Sequence, residues 1–187
     1  MSLPHVLLGM LSTPATGYDL RQQFEQSIRH FWSAELSQIY PTLAKLERDG
    51  LLEGHRERSD RGPMRKVYTR TPEGRDALVA WLLQGPMVRS ERMPYLTQAF
   101  FLDEASLAGA IAFYEQLRND FDAQVRELEA VERHWREQDP RYPDELPLDE
   151  MVKQMVLELG LRKYALIRDW CQDCLDRLAV RRAENKE

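Results

Sequence analysis

Two cysteines, Cys171 and Cys174, are all that 187 residues carry. So sparse a supply excludes the disulfide-stapled secreted scaffolds, in which many paired thiols stand in for a core. No apolar run approaches the roughly 20 residues a helix needs to cross a bilayer. No charged leader followed by an apolar stretch opens the chain, so the expected setting is the reducing cytoplasm, away from membranes. Glycine is thin, and none of the 9 residues forms a phosphate-cradling loop or a nucleophile elbow. His5, His30, His55 and His134 are scattered over different segments, and a shared catalytic or metal site is not expected of them. With no zinc-protease helix either, the chain reads as a protein that is not an enzyme and needs no cofactor. Positive charge is also in deficit, 26 Lys and Arg against 31 Asp and Glu, which at first argues against nucleic acid as a partner.

The deficit is uneven. Residues 1–84 hold 11 basic and 10 acidic side chains, whereas 85–187 hold 15 and 21. Between Gly54 and Arg70 stand Arg56, Arg58, Arg61, Arg65, Lys66 and Arg70 against only Glu57 and Asp60. That local excess suits a phosphate backbone, although a solvated charge run is the plain alternative.

Periodicity gives the elements around it. Leu3, Val6, Leu7, Met10 and Leu11 form a short apolar helix that STPATG interrupts. Thr16 and Asp19 have the spacing of a capping box and open a second helix carrying Leu20, Phe24 and Ile28. In the third, Leu36, Ile39, Leu43 and Leu46 fall within an arc of roughly 80°, with Ser37, Gln38, Thr42, Lys45, Arg48 and Asp49 opposite. Ser33 is the expected N-cap and Gly50 the left-handed stop. Pro41 is the misfit: in a helix interior it costs about 3 kcal/mol, so a bend or a shortened helix is expected. The runs 51–58 and 64–71 flank SDRGP as a hairpin, and Thr71 with Pro72 supplies an N-cap and a first-turn proline for a fourth helix, with Ala77, Leu78, Trp81 and Leu82 inwards. Three helices, a two-stranded wing and a fourth helix make an N-terminal winged helix-turn-helix over 1–84, a shape that fits a helix into a DNA groove.

Residues 85–187 read as long helices. After QGPMVRSERMPY, a linker by its glycine and prolines, comes a short helix near Leu96–Phe101, with Asp103 the expected N-cap of the next. Apolar residues recur every three or four positions from Leu107 through Ile111, Tyr114 and Leu117 to Trp135. QDPRYPDELP ends that helix, and Met151, Val152, Met155, Leu159, Leu166, Trp170 and Leu178 stripe a second. A mainly α chain is expected, its two long antiparallel helices forming a dimerisation domain, since a second copy is the simplest cover for both stripes. Leu107, Ile111, Tyr114, Met151, Met155, Leu159, Leu166, Trp170 and Leu178 are the interface candidates. Cys171 and Cys174 have the spacing of a redox or zinc pair, but beside Trp170 on a helix they equally suit ordinary packing. Trp81, Trp135, Trp170, Phe100, Phe101, Tyr95 and Tyr164 could line a cavity for a small flat aromatic effector or could simply be core.

MSLPHVLLGMLS, TGYDL, FWSAELSQIYPTLAKLERDGLL and RKVYTRTPEGRDAL together resemble the PadR-like transcriptional regulators, most nearly the virulence-activator and phenolic-acid repressor branches. The resemblance is motif-specific over residues 1–84 and one of helical pattern beyond. It implies a sequence-specific regulator, on balance a repressor, bound as a homodimer to a palindromic site on double-stranded promoter DNA. The third helix would lie in the major groove and the wing against the backbone. By position, the DNA-contacting set would be Ser33, Ser37, Gln38, Tyr40, Thr42, Lys45, Arg58, Arg61, Arg65, Lys66 and Tyr68. The rival reading is a ligand-sensing or protein-docking module without specific DNA binding.

Overall fold

The computed structural model describes residues 3–26, 36–58, 64–88 and 92–184. They fall into two compact units, Met1–Arg89 and Ser90–Glu187.

In the first unit, α1 (Leu3–Met10) leads through a two-residue strand β1 (Ala15–Thr16) into α2 (Gly17–Gln26). The capping box forms as its spacing predicts: the Thr16 amide donates to Asp19 Oδ2 at 2.9 Å and the Asp19 amide returns to Thr16 Oγ1 at 3.1 Å. A 3-10 turn at Leu36–Gln38 precedes α3 (Ile39–Arg48). Pro41 is therefore the third residue of the α-helix, where its missing N–H would have had no intrahelical acceptor, so the expected penalty is absent. The helix is short, with Gln38 at its N-cap and no side-chain bond there. Ser33, the anticipated cap, lies outside the described residues, as do Ile28 and the turn residues Gly62 and Pro63.

The stop at Gly50 forms as expected. Its φ of 76° is left-handed, and the Gly50 and Leu51 amides reach back to the Glu47 and Leu46 carbonyls at 3.1 and 2.9 Å, a Schellman closure. The chain thereby reverses into β2 (Leu52–Glu57), which pairs antiparallel with β3 (Arg65–Arg70). The sheet has a third strand that the sequence pattern missed: β1 lies on the other edge of β3, with Ala15 opposite Tyr68. In α4 (Pro72–Leu82) the Thr71 hydroxyl accepts from the Gly74 amide at 3.0 Å and donates to the Gly50 carbonyl at 2.9 Å, so one side chain caps α4 and ties down the end of α3. Leu7, Leu8, Leu11, Leu20, Ile39, Leu43, Leu46, Leu52 and Tyr68 close the core, with Ala77 and Leu78 against it. Leu82, expected inwards, is 59% exposed, while Trp81 stacks on His5 with ring centroids 4.8 Å apart.

The second unit contains α5 (Pro94–Phe100), a 3-10 turn at Leu102–Glu104, α6 (Leu107–Gln138) and α7 (Leu148–Glu184). Ser106, not Asp103, caps α6: its hydroxyl accepts from the Gly109 amide at 3.1 Å, because Asp103 is spent in the 3-10 turn. The two long helices are antiparallel. Tyr114 packs on Trp170, Phe121 on Tyr164 and Leu128 against Gly160, so one sequence rises as the other falls. Between them Phe121, Val125, Leu128 and Cys171 are buried.

Candidate nucleic-acid interface

The core stripe Ile39, Leu43 and Leu46 fixes which side of α3 faces out. At about 100° per residue the opposite arc contains Pro41, Ala44, Lys45 and Arg48, and all four are exposed, as are Ser37 and Gln38 in the preceding turn. This is a small-residue surface with two cations, short enough in side chain to let a helix approach base edges. Thr42, expected on it, is half-buried on one flank. Tyr40 lies on the other flank, 54% exposed. Its ring covers Gly17 at the start of α2, so closely that a methyl group there would collide with it.

The wing divides its cations between two tasks. Arg56 and Arg58 are exposed, and so is Arg65, with only a loose 3.8 Å pairing to the equally exposed Glu57. Such exposed pairs contribute little and leave the guanidinium accessible to phosphate. Arg70 is turned away, donating to the Leu8 carbonyl in the last turn of α1 at 2.9 Å, where a cation complements the helix dipole. Lys66 is bound by the Glu47 carboxylate of α3 at 2.6 Å and lies over the Tyr68 ring at 5.2 Å. Its hydrogen bond to Glu47 raises the ammonium pKa above the usual lysine range. Tyr68, expected to touch DNA, is 7% exposed. It occupies the middle strand with Ala15 and Gly54 on either side and belongs to the core; burial pushes its phenol pKa up. Arg61 and Ser33 lie outside the described residues.

Sequence reasoning placed Arg48 on the outward side of the third helix and Arg56 in the cationic hairpin but left both out of the contacting set, and it overlooked Glu47 and Gly54. The signal was present for Arg48, seven residues beyond Pro41, and for Arg56, which faces Lys66 in register on the same side of the hairpin.

The interface candidates of the second unit separate into two faces of α7. Trp170 is half-buried against Tyr114, and Met151 and Leu178 are also half-buried. Leu148, Val152, Met155, Leu159 and Leu166 are instead 75, 47, 55, 65 and 71% exposed. On a helical wheel these five fall within an arc of about 60°. Tyr114 and Trp170 thus hold the hairpin together, while Met155, Leu159 and Leu166 form an uncovered stripe. On α6, Leu107 and Ile111 are half-buried.

The aromatic residues are spread over both units and pair locally within each. Trp81 belongs to the first unit with His5. In the second, Trp135 packs on Tyr142, Tyr95 and Tyr164 each on Phe121, and Phe100 with Phe101 forms an exposed pair. Cys171 and Cys174 are both free thiols. Burial pushes the Cys171 thiol up to about 11, which makes it unreactive near neutral pH. Among the described residues no three His, Cys, Asp or Glu side chains come together as a metal site, and no helix is long and apolar enough to cross a membrane.

Residues 6–80 match the Transcriptional regulator PadR-like family, and residues 91–179 match the Virulence activator alpha C-term family. The negative transcriptional regulator PadR of Bacillus subtilis is 28% identical over 129 residues, 68% of this chain and 71% of that protein. Its crystal structure in complex with operator DNA superposes with a TM-score of 0.82 at 24% identity, covering 94% of this chain and 98% of that one. The probable transcriptional regulator Rv1176c of Mycobacterium tuberculosis is 28% identical over 191 residues, 97% of this chain and all of that one. The Vibrio cholerae virulence activator AphA gives a TM-score of 0.73 at 26% identity, covering 96% of this chain and 99% of that one.

Proposed function

The chain belongs to the PadR-like family of transcriptional regulators, and from that premise we propose that it represses transcription by binding a palindromic promoter site as a homodimer. Members of the family are regulators of transcription and not enzymes, and this chain is a DNA-binding regulator of that kind. The observation that carries the reading is the outward arc of α3, with Ser37, Gln38, Lys45 and Arg48 exposed, in the same unit as a wing that presents Arg56, Arg58 and Arg65. The helix is the element that enters a major groove and the wing cations are those that meet phosphate. Residues 1–84 are the DNA-binding domain and 85–187 the dimerisation domain, working in the cytoplasm. The uncovered stripe of α7 supports the dimer, because about 27 Å of leucine, valine and methionine in water invites a second copy. Repression is preferred because a relative matched over 68% of this chain is a negative regulator.

Selection of bound duplexes from a random-sequence pool tests the proposal. The expected product is a two-fold symmetric motif whose half-sites lie about one helical turn, roughly 34 Å, apart or a multiple of it. Retention without sequence enrichment, lost steeply as salt rises, would leave only the background binding of a basic patch.

A further inference from the structure

Glu47 is an acid on the flank of the helix that faces DNA, where a carboxylate should repel phosphate. We propose that the Glu47–Lys66 pair, laid across Gly54, is a strap that fixes the wing relative to α3, so that Glu47 promotes DNA binding. The inference rests on the DNA-binding reading and adds a positioning role that the reading does not require.

Three observations support it. The pair joins α3 to β3 at 2.6 Å, between residues 19 positions apart in sequence, and its side chains are only 31 and 38% exposed. It crosses β2 at the one position in that strand with no side chain. A methyl group on Gly54 would overlap both the Lys66 stem and the Glu47 carboxylate. Beneath it the Tyr68 ring, held in the core, supports the lysine from the other side. At the opposite end of α3, Tyr40 seated on Gly17 indexes the helix against α2. The helix is thus registered at both ends by a long side chain lying over a glycine, once toward α2 and once toward the wing.

Charge bookkeeping and the strap make opposite predictions for Glu47→Gln. Removal of an acid near DNA should tighten binding to every duplex. Loss of the strap should weaken binding to the duplex enriched by the wild-type chain while sparing an unrelated duplex of the same length, because only the specific complex needs the wing and helix in register. The expected loss is about three- to tenfold on the enriched duplex. It should be recovered largely by the exchange Glu47→Lys with Lys66→Glu, which restores the pair with its charges reversed. Lys66→Met, which keeps the stem, should show the same selective loss and a nearly unchanged salt slope. Thermal melting followed by circular dichroism should stay near wild type for all variants.

The strap is overturned if Glu47→Gln binds the enriched duplex as tightly as wild type or tighter. It is equally overturned if the exchange does no better than the single variants, or if Lys66→Met weakens both duplexes alike and flattens the salt slope by about one. A wild-type chain that enriches no duplex at all would remove the DNA reading itself, and the strap with it.

Discussion

Replacing Leu159 and Leu166 together by alanine should convert the dimer to monomers at concentrations where the wild-type chain is paired. The two side chains are 65 and 71% exposed on α7, so most of what each could gain from burial is still ungained in the single chain. Complete burial of a leucine is worth about 1.5–3 kcal/mol, and roughly two-thirds of that, less the methyl that alanine retains, is about 1 kcal/mol per residue. A two-fold interface contains each residue twice, so the double substitution removes about 4 kcal/mol, or about three decades in the dimer dissociation constant. The fold should be nearly unaffected, since little intrachain packing is lost and alanine favours the helix. Sedimentation velocity from nanomolar to micromolar protein measures the shift, with thermal melting as the control. A double variant that dimerises within tenfold of wild type would show that the stripe is not the interface. A melting temperature falling by many degrees would instead mean that these leucines belong to the core of a single chain.

Three further outcomes follow from the same structure. Gln38→Ala, at the exposed turn leading into α3, should relax base preference at one position by about 1–3 kcal/mol; equal losses on enriched and unrelated duplexes in a titration would remove it from base reading. Asp19 in its capping box is held below its ordinary value of 3.8 by the Thr16 amide and hydroxyl. A carboxyl with a depressed folded pKa stabilises above its unfolded pKa and loses that contribution as pH falls through the folded one. Urea unfolding of wild type should therefore weaken below about pH 4 more steeply than that of Asp19→Asn, and parallel pH curves would refute the capping account. Because Lys66 and Arg70 are engaged within the protein, the slope of log affinity against log salt should be about −5 per half-site, not the value near −7 expected if every cation of α3 and the wing met phosphate.

The helices were legible, and so were those of their ends that rest on local chemistry, whereas the starts of α3 and α6 were not. Thr16 with Asp19, Thr71 with Pro72 and the left-handed Gly50 are short-range devices, and a pattern of neighbours suffices to find them. β1 was not legible: two residues give no alternation to read, and Ala15 joins the sheet only because α1 and α2 deliver it to the edge of β3. Pro41 was half legible: the shortened helix expected of it is found, but not its cost, which depends on where the first α-helical hydrogen bond falls, and a 3-10 turn moved that point to Ile39. Among the site residues, exposed ones such as Ser37, Gln38 and Lys45 could be placed by the wheel, but Tyr68 and Lys66 could not. A resemblance motif aligns residue types, whereas the turn of Tyr68 into the core and of Lys66 toward Glu47 depends on the pleat of β3 against a helix nineteen residues away. The two faces of α7 were merged in the sequence for want of contrast, because apolar side chains occur on both its packed and its open side.

The net charge of −5 and the DNA-binding reading are reconciled by where the charges reside and which of them are occupied. The acidic excess falls in residues 85–187, which hold 15 basic against 21 acidic side chains, and a local basic excess in the wing, so the net charge of the second unit opposes indiscriminate adhesion to phosphate. Two of the wing's cations are further withdrawn from solution, one to a helix end and one to Glu47. A single head is then a weak, selective binder, and useful affinity requires that two heads engage at once, each effectively concentrating the other. On this argument the exposed stripe of α7 and the restrained wing are complementary features. The second limits what one copy can do on random DNA, and the first supplies the partner through which a symmetric site is distinguished from the rest.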